Sequence, residues 1–156
     1  MGSVVGPPLA KALTTKFGAA NVAIQGVDYA ATTAGFTNDA AGNQKVADLI
    51  NQASTACPGT QIVLSGYSQG CMIAHRGANT LSTAATSKVA AVLLFGDPFN
   101  NQPFSSIDAS KVDSFCASGD SVCENGNAVI TSAHLSYGKN GDVDQGVDFV
   151  ASKISI

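Results

Sequence analysis

Residues 89–95 read VAAVLLF, apolar at every position. A strand with one wet face would alternate polar and apolar residues. An unbroken run of this length suits a strand covered on both faces, as in a parallel sheet between helical layers. It is far too short to cross a bilayer. The flanking segments agree. Leu9, Ala12, Leu13 and Phe17 repeat at helical spacing behind Pro7-Pro8, which suits a first helical turn. Residues 21–27 read as a short strand, and Val46, Leu49, Ile50 and Ala53 as an amphipathic helix. A buried strand at 61–64 leads into a helix at 71–81, another strand is expected at 111–116, and Val143, Val147, Val150 and Ile154 mark a closing helix. This alternation predicts the α/β class: a three-layer sandwich around a mostly parallel sheet, in one domain over residues 1–156.

Charge narrows the function classes. Charged residues make up 12% of the chain, about half the usual share, and the net charge is −3 with eight Lys and Arg. No basic cluster is present to neutralise phosphates, so nucleic acid is not an expected partner. Cys116 and Cys123 bracket Ser118-Gly119-Asp120 at a spacing that suits a small disulfide-closed loop, which favours an oxidising compartment. A metal at that loop would need further ligands, and none are evident nearby.

In parallel α/β sheets the chemistry collects at the carboxyl ends of the strands. After the strand at 61–64 comes Gly66-Tyr67-Ser68-Gln69-Gly70, and a helix follows. In that setting the glycines let strand and helix approach around a strained residue whose hydroxyl stands free. The helix start also sets the Gln69 backbone N–H beside Ser68, as a donor for a developing oxyanion. A serine nucleophile needs a base, and the chain has two histidines. His75 lies seven residues further along the same helix, about 10 Å away along its axis, and is carried off from Ser68. Cys71 and His75 lie one turn apart, but with no further ligands they read as structural. His134 sits in a late loop between the last strand and the closing helix, where the base of an α/β-hydrolase belongs. Asp97 and Asp120 both follow strands downstream of Ser68. Asp120 is favoured: the order Ser68, Asp120, His134 matches that of the fold, and a disulfide-closed loop would hold the acid rigidly. Asp97 is left to bond turn amides ahead of Pro98.

The motifs GYSQG, FCASGDSVC and HLSYG, in this order and at these separations, resemble the cutinase family of small fungal serine esterases. The resemblance runs from VVGPPLAKAL to the closing helix. It implies a lidless secreted enzyme that hydrolyses short- to medium-chain esters, cutin polyester included, as a monomer without a cofactor. By position it implies Ser68 as nucleophile, Asp120 as acid, His134 as base and Gln69 as an oxyanion amide. Tyr67, Val129, Ile130 and Leu135 fall where the family touches substrate, and Cys116–Cys123 matches its active-site disulfide.

The chain also departs from the pattern. Relatives carry a signal peptide and a further strand ending in Arg-Gly-Ser/Thr, which supplies a second oxyanion donor. That segment would lie ahead of Met1, so a sheet strand and one edge of the oxyanion hole are expected to be lacking. Losing one such donor typically costs about 10²–10³ in kcat. Cys57 matches a family cysteine whose partner lies in that same region. An intervening strand separates Cys57 from Cys71 by more than a disulfide can span, so Cys57 is expected as a free thiol and Cys71 as a buried small hydrophobe. Two alternative readings follow: an acetylxylan esterase on the same fold and triad, and a catalytically impaired or non-catalytic secreted protein.

Overall fold

The computed structural model describes residues 1–155. Helix α1 (Gly6–Phe17) carries its prolines in the first turn and buries Leu9 and Leu13. Helix α2 (Ala40–Ala56) starts at Asp39, whose carboxylate accepts the Gly42 N–H at 2.7 Å. Strand β1 (Ile62–Tyr67) runs directly into α3 (Gln69–Ala78), with only Ser68 between them. The short α4 (Thr83–Thr86) leads to β2 (Val89–Phe95) and β3 (Val112–Phe115). The turn helix α5 (Ser121–Asn125) and the closing helix α6 (Asp142–Lys153) complete the chain.

The three strands are parallel in the order β1-β2-β3, with Tyr67 opposite Phe95 and Phe95 opposite Phe115. Strand β2 is the central one and separates two cores. Val92 and Leu94 point to one side, where α2 and α3 supply Val46, Ile50, Ile73 and Ala74. Ala91, Leu93 and Phe95 point to the other, against Leu9 and Leu13 of α1 and Val143, Val147 and Val150 of α6. This is the three-layer sandwich expected of VAAVLLF: both faces are dry, so neither face can be polar.

Several boundaries shift: α3 ends at Ala78 instead of residue 81, β3 is one residue shorter at each end than 111–116, and two further changes fall at the turn. Strand β1 extends past residue 64 to Tyr67, and α3 begins at Gln69 instead of residue 71. The glycines of the turn are therefore absorbed into a strand end and a helix start. Residues 21–27 form no strand. Val27 and Tyr29 pack on the α2–α3 core, but residues 22–31 make no backbone–backbone hydrogen bonds. Apolar alternation gives a segment a face, whereas a strand also needs a neighbour about 4.8 Å away to close its ladder. Here a groove of about 590 Å³ separates that segment from the open edge of β1, and Ala23, Gly26, Val63 and Tyr67 are among its lining residues.

Close approach of β1 and α3 sets up everything at the top of the sheet. A Cβ on Gly66 would lie 2.7 Å from both the backbone N and the Cα of Cys71, which is backbone that cannot yield. A Cβ on Gly70 would meet only the Tyr29 hydroxyl, at an ordinary 3.6 Å. The two glycines of GYSQG are therefore unequal. Gly66→Ala is expected to lower the unfolding temperature sharply or prevent folding. Gly70→Ala, in the first turn of a helix, should be neutral or stabilising by up to about 1 kcal/mol. Thermal denaturation of the two variants checks both.

Candidate active site

Ser68 is the N-cap of α3 and has φ 53° and ψ −126°, a positive-φ backbone that residues other than glycine rarely adopt. The strain is held from both sides. The Ser68 N–H donates to the Phe95 carbonyl at 2.9 Å, and its own carbonyl accepts the Cys71 N–H at 2.9 Å. The side chain is half-buried at the carboxyl end of β1, beside the first N–H groups of α3. The Gln69 side chain is buried and donates to the Thr32 carbonyl at 2.8 Å, which ties the loop before α2 to the elbow.

Asp120 and His134 come together, both fully buried. Nδ1 of His134 lies 2.9 Å from Oδ1 and 2.8 Å from Oδ2 of Asp120. A carboxylate offers only acceptors, so Nδ1 carries the proton and the lone pair is on Nε2. That Nε2 is buried and has no hydrogen-bond partner. The imidazole is held on several sides. Its ring stacks on Tyr67 at 4.9 Å, and the Tyr67 hydroxyl donates to the His134 carbonyl at 2.8 Å. The His134 N–H donates to Thr131 Oγ1, whose hydroxyl in turn donates to the Gly119 carbonyl. This pair of bonds links the histidine loop to the aspartate loop. Burial, followed by the nearby Asp120 charge, pushes the Tyr67 phenol up to about 12, so it stays a donor at neutral pH.

Asp120 caps α5, with Oδ1 accepting the Val122 N–H at 3.0 Å. Cys116 and Cys123 form a disulfide across the loop that contains it, as the spacing predicts. Cys57 and Cys71 are free thiols, exposed and buried respectively. Val129, Ile130 and Leu135 are 61%, 52% and 53% exposed and lie on the loop that carries His134.

His75 and Asp97, set aside on sequence grounds, prove to be partners. Nε2 of His75 sits 2.8 Å from Oδ2 of Asp97, and both residues are buried. Asp97 Oδ1 accepts the Phe99 N–H at 2.9 Å, which is the turn role expected for it. His75 stacks on Phe104 at 4.1 Å and meets Phe99 edge-on. The pair joins α3 to the turn after β2 on the far side of the sheet from His134. Sequence reasoning missed this pairing, because residues 22 apart in chain meet only through the β1–β2 register. It also passed over Tyr137, whose place within HLSYG was the available signal. Among the described residues no group of three or more His, Cys, Asp or Glu side chains could hold a metal ion.

A strained serine between a parallel strand and a helix, with a buried His–Asp pair on later loops, is the arrangement of the α/β-hydrolases. The Cutinase family model matches residues 1–154, and the chain belongs to the cutinase family of carboxylic ester hydrolases. It is 39% identical over 140 residues to the cutinase of Botryotinia fuckeliana, covering 88% of this chain and 69% of that one. A Trichoderma reesei cutinase solved with a C11Y4 phosphonate inhibitor superposes with a TM-score of 0.92 at 36% identity, covering 100% of this chain and 70% of that chain. A solved acetylxylan esterase is similar too, with a TM-score of 0.78 at 25% identity over 96% of this chain and 90% of that one. The chain thus spans about two thirds of the length of the cutinases it matches.

If the His75–Asp97 pair serves only the fold, Asp97→Ala should cost about 1–3 kcal/mol by orphaning a buried imidazole. The folded fraction should keep an unaltered His134 imidazole signal in NMR. Urea denaturation and that spectrum together check this.

Proposed function

We propose that Ser68, His134 and Asp120 act as nucleophile, general base and acid of this esterase. The observation that carries the reading is the unpartnered buried Nε2 of His134, on an imidazole whose other nitrogen is locked to Asp120. His134 Nε2 takes the proton as Ser68 Oγ attacks the ester carbonyl. The C–O bond to the alcohol then breaks, and His134 returns the proton to the leaving alkoxide. Water repeats the sequence on the acyl-enzyme and releases the acid. The Gln69 backbone N–H, at the start of α3, faces the oxyanion as it develops.

Val129, Ile130 and Leu135 form an apolar wall for the acyl chain, with Tyr67 beneath His134. A rim of this kind favours lipophilic short- to medium-chain esters, and plant polyester presents such acyl groups at a surface. The acetylxylan reading asks instead for exposed aromatic and polar groups around the site. The chain has no Trp, and the largest side chains at the rim are aliphatic. The disulfide and the fungal relatives support an extracellular protein.

Hydrolysis of p-nitrophenyl butyrate is the direct test. Ser68→Ala should abolish it, and a lipophilic phosphonate should attach to Ser68 and to no other serine. Asp120→Asn should lower kcat by roughly 10³–10⁴ with little change in KM, because the imidazole loses its tautomer. A protein that turns over no ester would favour the non-catalytic reading, and faster release of acetate from xylan than of butyrate would favour the acetylxylan reading. Leu135→Ser and Ile130→Ser should each raise KM for butyrate and longer esters while leaving acetate nearly unaffected.

A further inference from the structure

Tyr137 is fully buried, and none of the steps above uses it. Its hydroxyl lies 2.5 Å from Oδ2 of Asp120, the oxygen that also sits closest to His134 Nδ1. The same hydroxyl accepts the Ala117 N–H at 3.0 Å. Its remaining neighbours are the Cys123 sulfur, a weak acceptor at 3.5 Å, and the much closer Asp120 carboxylate, so the phenolic proton goes to the carboxylate. Burial first, and then the bond to Asp120, raise the phenol above its ordinary range, so it remains a donor wherever the enzyme works.

The carboxylate therefore receives three donors: the Val122 N–H on Oδ1, the Tyr137 hydroxyl on Oδ2, and His134 Nδ1–H between them. Water has little room to substitute. A Cβ on Gly96 (φ 59°) would lie 2.8 Å from His134 Cε1 and 2.9 Å from Asp120 Oδ2, so the backbone at the end of β2 already closes that side. The Tyr137 ring meets the His134 ring edge-on at 88°, while Tyr67 stacks against it.

We propose that Tyr137 is a positioning residue for the Asp120–His134 pair, holding the carboxylate in the imidazole plane and withdrawing part of its charge. This rests on the site reading above. A hydrogen bond donated to a carboxylate disperses its charge and lowers its basicity. A less basic Asp120 stabilises the His134 imidazolium less, so the imidazolium gives up its proton to the leaving alkoxide more readily. Tyr137 thus tunes the pair toward proton return, while Val122 and the disulfide-closed loop anchor it. The other titratable groups facing this cluster include Tyr67 from the end of β1, Cys71 from α3 and Asp142 from the start of α6.

Tyr137→Phe removes only the hydroxyl. The expected result is a rise of about half a pH unit or more in the acid limb of kcat/KM. A fall in kcat of roughly tenfold should accompany it, with KM nearly unchanged, since a slightly misplaced acid weakens proton transfer more than substrate binding. In an Asp120→Asn background the same substitution should have almost no further effect on kcat. A purely structural tyrosine would lower the unfolding temperature, leave the limb in place and cost the same factor in both backgrounds, and that result would overturn the proposal. NMR titration of the imidazoles reads His134 without turnover, so a protein that proves inactive on esters would sink the site reading while this measurement still decides Tyr137. If the phenylalanine variant does not fold, 3-fluorotyrosine at position 137 offers a more acidic phenol of nearly the same shape. It should move the His134 titration downward, and an unchanged titration would overturn the proposal.

Discussion

The contact between Gly66 at the end of β1 and the backbone of Cys71 in α3 is the constraint on which the rest of the site depends. Strand and helix touch there without an intervening side chain. The chain must therefore reverse direction within one residue, and Ser68 takes the strained backbone that this demands. Strain of this sort persists only where the surroundings over-determine it. Here the Phe95 carbonyl, the Cys71 amide and the packing of α3 on the sheet supply that restraint. The hydroxyl is presented at the carboxyl ends of β1 and β2, where the later loops can reach it.

The protein holds two buried His–Asp pairs on opposite sides of the sheet, and their difference is instructive. In the His75–Asp97 pair the histidine lies between two phenylalanines, and the bond joins α3 to a turn. In the His134–Asp120 pair the bond goes through Nδ1, which leaves Nε2 unpartnered. An unpaired buried nitrogen is costly in a protein interior. It persists where surrounding contacts hold the ring in place, and Tyr67, Thr131 and Asp120 do so. Identical functional groups thus bond through Nε2 in one pair and through Nδ1 in the other.

Electrostatics and apolar surface divide the work at this end of the molecule. The charge of Asp120 is buried and shared among three donors, while the groups that face outward on the histidine loop are aliphatic. Val129, Ile130 and Leu135 are exposed on the loop that carries His134, which is the placement the proposed acyl contact requires. Together they fit a reaction in which a lipophilic acyl group docks beside a hydroxyl and a free imidazole nitrogen.

The unbroken apolar run at 89–95, set within alternating helical and strand patterns, was enough to indicate a central strand with helices on both faces, because a strand apolar on both sides needs a covering layer on each. The spacing of Cys116 and Cys123 foretold a closed loop, and helical direction alone separated His75 from Ser68. These inferences succeed because they concern neighbours along the chain, where bond geometry limits the distances. The strand expected at 21–27 failed for the complementary reason: its pairing depends on a partner that its own residues do not specify, and here a groove lies beside it. The same holds for Asp97 meeting His75 and for Tyr137 reaching Asp120. Sequence by itself determined the class of fold and the chemical types in the site, through periodicity and local spacing. Tertiary structure alone decided which ring nitrogen of each histidine meets a carboxylate and how many donors share each carboxylate, because those contacts join residues that only the packed layers bring together.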